Sequence, residues 1–268
     1  MRKVGHDLSD AEIAAAYERI GPSLGMRPYF YPAVAKFAGP IGTGVALDVG
    51  CGSGDLLFQI QKLNPDASLL GIELAESRVK MAQARLGARA DIRCGSLTGA
   101  IPFPPSSADV ILITEVIEHL KDPVAALRNV VPILKPGGRV VITFPNGNSF
   151  LPFSFLAERI APHFKPARGF LPHSHPYRTI QPIDTTFSKS EVLEMLRASG
   201  LWVVKSACSE VFPYLLEFAY KFAPGWDISP WHRPLDRLAS RLGLVSLGAH
   251  IFVECIVSES TGRRANKP

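Results

Sequence analysis

The stretch Val45-Ala46-Leu47-Asp48-Val49-Gly50-Cys51-Gly52-Ser53-Gly54-Asp55 constrains this chain more than any other. An apolar, β-rich run ends in Asp48, a glycine-dense turn follows, and a helical pattern starts at Asp55-Leu56-Leu57. That order of strand, tight turn and helix opens a nucleotide-binding α/β sheet. Gly50, Gly52 and Gly54 carry no Cβ, so the backbone can turn sharply and a ligand can lie against it. The new helix points its free N–H groups at the same place.

The flanking charge decides which ligand. Asp48 and Asp55 bracket the loop; they would repel a pyrophosphate and suit a cation. The spacing is Gly-x-Gly-x-Gly, not the Gly-x-Gly-x-x-Gly of a dinucleotide site. A nucleoside carrying a positive amino acid and no phosphate fits better, and S-adenosylmethionine is such a molecule.

The segment Asp48-Val49-Gly50-Cys51-Gly52-Ser53-Gly54 resembles the first motif of the class I S-adenosylmethionine-dependent methyltransferases. Glu73 stands about twenty residues on, after the apolar Ser68-Leu69-Leu70-Gly71-Ile72. The likeness continues through residues 108–113 and through Leu134-Lys135-Pro136-Gly137-Gly138-Arg139, and it covers residues 40–146 closely. It implies that Asp48, Gly50, Cys51, Gly52 and Gly54 hold the methionine part. Glu73, with Leu74 beside it, would take the ribose hydroxyls. Ser96 and Leu97 would lie near adenine, and Thr114 at the end of the fourth strand of the core. The family usually has Asp at the position of Ser96; a serine can still accept a hydrogen bond there, without the charge.

The implied fold is α/β: a Rossmann-like, seven-stranded, mostly parallel sheet with helices on both faces and an antiparallel last strand. At 268 residues the chain reads as a single domain. Residues 1–40 form N-terminal helices and 41–146 the cofactor-binding core. Residues 147–187 are a proline-, aromatic- and histidine-rich insertion that could act as a lid. Residues 188–258 form a C-terminal half with an apolar helical insertion, and 259–268 a tail. Aromatics at Tyr29, Phe30, Tyr31 and Phe37 could cover the cofactor or simply pack on the sheet. A capping box at Ser9-Asp10-Ala11-Glu12, a second at Ser188-Lys189-Ser190-Glu191, and the Asp122-Pro123 cap mark helix starts.

After the fourth strand comes Glu115-Val116-Ile117-Glu118-His119-Leu120. Family enzymes acting on planar amines usually carry Asn/Asp-Pro-Pro-Tyr/Phe there, and that motif is absent. The segment is similar to that of quinone O-methyltransferases and related small-molecule enzymes. The likeness implies His119 as base for a hydroxyl acceptor, less readily a carbon, on a small hydrophobic molecule. Two other readings remain open. Glu115, Glu118 and His119 at i, i+3 and i+4 could join His173 or His175 around a divalent ion, as in small-RNA 2′-O-methyltransferases. A non-catalytic cofactor-binding protein would keep the glycine loop and lose the acceptor site.

The net charge of +5 lies partly at the ends, in Arg2, Lys3, Arg263, Arg264 and Lys267, and reads as solvated tails rather than a nucleic-acid surface. The four cysteines lack metal spacing and read as reduced, buried fillers, which suits the cytoplasm. Neither an apolar leader nor eighteen uninterrupted apolar residues occur. Residues 211–223 are strongly apolar, and 235–242 form an amphipathic helix beside Arg233, Arg237 and Arg241. That pair could wall a greasy pocket or touch a membrane surface peripherally.

Overall fold

The computed structural model describes residues 2–4, 7–20, 30–147, 182–209, 211 and 229–257. Most of the 147–187 insertion, including His173 and His175, most of the apolar stretch 211–223 and the tail lie outside them.

Seven strands form one sheet in the order β4-β3-β2-β5-β6-β9-β8. These are β2 (Val45–Val49), β3 (Ser68–Glu73), β4 (Ala90–Cys94), β5 (Ala108–Thr114), β6 (Leu134–Pro145), β8 (Leu201–Ser209) and β9 (His250–Val257). Pairings from β4 across to β6 are parallel. β9 runs antiparallel to both β6 and β8, as expected of the last strand.

Each central strand is apolar on both sides because helices cover both faces. On β5, Val110 and Leu112 join one cluster and Ile111 and Ile113 the other. The first cluster takes Val34 of α2 (Phe30–Ala38), Leu56 and Leu57 of α3 (Asp55–Leu63) and Ala82 of α4 (Glu76–Leu86). The second takes Leu127 of α5 (Pro123–Val130) and Leu196 of α6 (Lys189–Ala198). Truncating a fully buried member such as Ile111 to alanine should cost about 2–5 kcal/mol. The three caps form as read. Asp122 Oδ1 accepts from Ala125 N at 2.9 Å. Ser188 and Glu191 cap each other's backbone N–H groups in front of α6. Ser9 and Glu12 do the same in front of α1 (Asp10–Ile20).

Three local features differ from the expectations. Arg2 and Lys3 belong to strand β1 (Arg2–Val4), which pairs antiparallel with β7 (Asp184–Thr186). A three-residue strand is too short to announce itself by alternation. Lys135-Pro136-Gly137-Gly138, which reads as a turn, lies inside β6, with a register shift opposite residues 108–110. Cys94 is exposed rather than a buried filler; all four cysteines are free thiols.

Candidate active site

Ligands of such sheets bind beyond the carboxyl ends of the strands, and the candidate residues gather there. The glycine loop leaves β2 and is pinned to the end of β3. Gly50 N and Cys51 N both donate to the Ile72 carbonyl, at 2.8 and 2.9 Å. Glu73 then grips the loop from the side: its Oε2 accepts from Gly52 N at 2.9 Å, and its Oε1 from Ala75 N at 3.0 Å. Gly50 has φ +77°, and a Cβ there would lie 2.7 Å from Val116 Cγ2. Gly52 has φ +53°, and a Cβ there would meet nothing within 4 Å among the described residues. Among these residues the space above Gly52 is open, as a ligand cradle requires.

Asp48 is buried at the end of β2. Burial, and after it the charge of Glu73, push its carboxyl up to about 8. Two adjacent buried carboxylates in one crevice are costly without a cation, so a positively charged ligand would relieve the site. Thr114 Oγ1, also buried, has no hydrogen-bond partner among the described residues. An orphaned hydroxyl at the end of β5 fits a polar ligand group. Asp55 does not share this role. It pairs with Arg85 of α4 and accepts from Ser53 Oγ at 3.2 Å, so its charge is answered inside the protein.

Leu97 is buried and Leu74 half-buried. Ser96 sits beside them, but its hydroxyl is 2.8 Å from Thr98 Oγ1 and also caps Thr98 N. Two N-terminal helices close on this edge. Phe30 and Phe37 pack edge-on against Phe252 of β9. The Tyr31 phenol is pushed far up by burial and then by the charges of Asp55, Asp48 and Glu115. Packing on the sheet, one of the two expectations for these aromatics, is what Phe30 and Phe37 do; Tyr29 lies outside the described residues. Glu18 of α1 accepts from Ser77 N at 3.3 Å and also from Glu76 N, capping α4.

The segment after β5 does not form a helical face. Glu115 adopts φ +53°, and residues 117–119 make a 3-10 turn. The Glu115 carboxylate is engaged by the neighbouring strands β6 and β9. Its Oε1 accepts from Thr143 Oγ1 at 2.9 Å, and its Oε2 lies 2.9 Å from His250 Nδ1. Glu115, Glu118 and His119 would share a face only in a regular helix, which residues 115–119 do not form. Among the described residues no three His, Cys, Asp or Glu side chains converge as metal ligands. His119 Nδ1 lies 2.7 Å from the Ile183 carbonyl. A carbonyl only accepts, so Nδ1 carries the hydrogen and Nε2 keeps the lone pair in the neutral ring. Burial holds the His119 imidazole below its ordinary pKa, against the opposing pull of the Ile183 bond and the Glu115 charge. His250 and Thr143 are absent from the sequence reading; nothing local marks them, since only the folded sheet brings them to Glu115.

Residues 47–142 match the family described as methyltransferase domain. The chain is 32% identical over 163 residues to the ubiquinone biosynthesis O-methyltransferase of Idiomarina loihiensis, covering 58% of this chain and 60% of that one. It is 34% identical over 104 residues to the demethylmenaquinone methyltransferase of Lactococcus lactis, covering 37% and 41%. The chain thus matches less than two thirds of the length of either relative. A solved S-adenosylmethionine-dependent methyltransferase from Aquifex aeolicus superposes with a TM-score of 0.55 at 14% identity, over 94% of this chain and 100% of that one. That likeness is one of fold.

Proposed function

Because its core is a class I, S-adenosylmethionine-dependent methyltransferase domain, we propose that the protein transfers a methyl group to a hydroxyl of a small hydrophobic acceptor. The observation that carries this reading is the buried pair Asp48 and Glu73 on either side of an open glycine loop. Asp48 answers the ligand's ammonium group. Glu73 takes the ribose hydroxyls. Gly50, Cys51, Gly52 and Gly54 shape the floor, Leu74 and Leu97 pack on the base, Ser96 accepts from its edge, and Thr114 contributes its hydroxyl.

When bound, S-adenosylmethionine supplies a methyl group on a positively charged sulfur, which an acceptor atom displaces in line. The protein's part is orientation and exclusion of water. A hydroxyl acceptor must also lose a proton. His119 Nε2 is proposed to receive it, since the Ile183 contact fixes that nitrogen as the basic one. Low proton affinity keeps the ring neutral and ready to accept at neutral pH.

The relatives' names point to quinone-related acceptors; a phenolic hydroxyl on a hydrophobic ring is the matching chemistry here. A ring-carbon acceptor would likewise have to release a proton, from the methylated carbon, and the same nitrogen could receive it. The metal-assisted RNA reading loses support because Glu115 is engaged by Thr143 and His250. A purely cofactor-binding role is the remaining contrast. The test is incubation with methyl-labelled S-adenosylmethionine and a panel of hydrophobic phenols. Labelled ethers are expected; binding without any turnover across the panel would favour the non-catalytic role.

A further inference from the structure

Helix α7 (Ser229–Arg241) packs against β8 and has three distinct sides. Successive residues are set about 100° apart around a helix, so its described side chains sort cleanly. Asp236, Ala239 and Ser240 face the protein. Asp236 Oδ1 accepts from Val211 N at 3.1 Å, and Ser240 Oγ accepts from Cys208 N at 3.0 Å. These bonds fasten the helix to the carboxyl end of β8. Arg233, Arg237 and Arg241 form a second, exposed side, spaced i, i+4, i+8. Leu235, Leu238 and Leu242 form the third, spaced i, i+3, i+7, and are 41%, 54% and 63% exposed. Leu244, just past the helix end, is 48% exposed.

A leucine row beside an arginine row, both in solvent, is poorly suited to water and well suited to an interface. We propose that α7 docks the protein on an anionic lipid surface, with the leucine row in the acyl boundary and the arginines on headgroup phosphates. The long arginine stems can lie along apolar surface while their guanidinium groups reach phosphate. Charge selects the occupant. No acidic side chain stands on either exposed side from 233 to 244, and the chain as a whole carries +5. The helix borders the edge where β8 ends, and Ser209 of β8 is in register with His250. Docking would bring the candidate site to a surface where hydrophobic molecules reside, but the inference does not depend on the methyl-transfer reading.

The test is co-sedimentation of the full chain with vesicles of phosphatidylcholine alone and of equimolar phosphatidylcholine and phosphatidylglycerol. Binding should be at least about tenfold stronger on the anionic vesicles and should fall as salt is raised. R237E/R241E and L238E/L242E should each lower it about tenfold or more. Because these side chains are exposed, both variants should keep the wild-type melting temperature and S-adenosylhomocysteine affinity. Equal partition onto neutral and anionic vesicles would overturn the proposal. So would undiminished binding by L238E/L242E, or self-association of the wild type that this variant abolishes.

Discussion

Glu115 and His250 stand 135 residues apart in the chain and 2.9 Å apart in the fold, Oε2 to Nδ1. The contact joins the end of β5 to the start of β9 across β6, whose Thr143 donates to the same carboxylate. Glu115 reaches it by adopting a left-handed backbone, φ +53°, a conformation that costs about 1–2 kcal/mol in a non-glycine residue. The side chains are only 13% and 16% exposed. His250→Ala should therefore destabilise the protein by roughly 1–3 kcal/mol, through a buried carboxylate left short of a partner. Glu115→Gln, which keeps an acceptor for Thr143, should cost less. Urea unfolding of both variants checks the order; equal costs would mean the histidine contact carries no weight.

Two glycines of the loop should fail in different ways. Both have positive φ, but a Cβ on Gly50 would strike Val116, whereas one on Gly52 enters open space. Gly50→Ala is expected to lower the melting temperature more. Gly52→Ala is expected to fold nearly as well and to lose ligand affinity, because its methyl fills the cradle. Thermal melts beside calorimetric titration separate the two effects.

The Asp48 carboxyl gives the ligand-free protein a signed pH dependence. Its value, pushed up to about 8 by burial and then by Glu73, lies above that of the unfolded chain. Between the ordinary aspartate range and about 8, the folded state holds a proton that the unfolded state has released. Stability should thus fall as pH rises through that window. His119, whose value is lowered, works the other way: its contribution is lost as pH falls below the unfolded histidine value. The difference between wild type and Asp48→Asn isolates the aspartate. The variant should melt higher near the top of the window, and a pH-independent difference would refute the assignment.

Roles at the ligand edge separate by what each variant loses. Asp48→Ala and Glu73→Ala should weaken S-adenosylhomocysteine binding roughly 10- to 100-fold, as loss of a charged hydrogen bond implies. His119→Ala should leave that affinity within about twofold and lower turnover roughly 100-fold or more. Full turnover by His119→Ala across the pH range would remove the histidine from the proton step.

Much of this was legible in the sequence because it is local. The glycine spacing, the strand-ending Asp48 and Glu73, and the three caps are encoded within a few neighbouring residues, and the structure keeps them. The antiparallel last strand followed from the family likeness. What escaped depends on distant chain segments. The β1–β7 pair joins residues some 180 apart, and the Glu115–His250 contact spans the sheet. Glu115, Glu118 and His119 carry helical spacing, but the backbone turns left-handed at Glu115 and separates their roles. Asp55 misled because Arg85, thirty residues on, neutralises it.

If Asp48 and Glu73 form the nucleoside site, this strand edge should bind the product of the methyl donor. Calorimetric titration of the full chain with S-adenosylhomocysteine, with and without magnesium, beside NAD, tests it most directly. Saturable, magnesium-independent binding that Glu73→Ala weakens is expected, with no heat from NAD. Binding of NAD in place of S-adenosylhomocysteine, or no nucleoside binding at all, would contradict it.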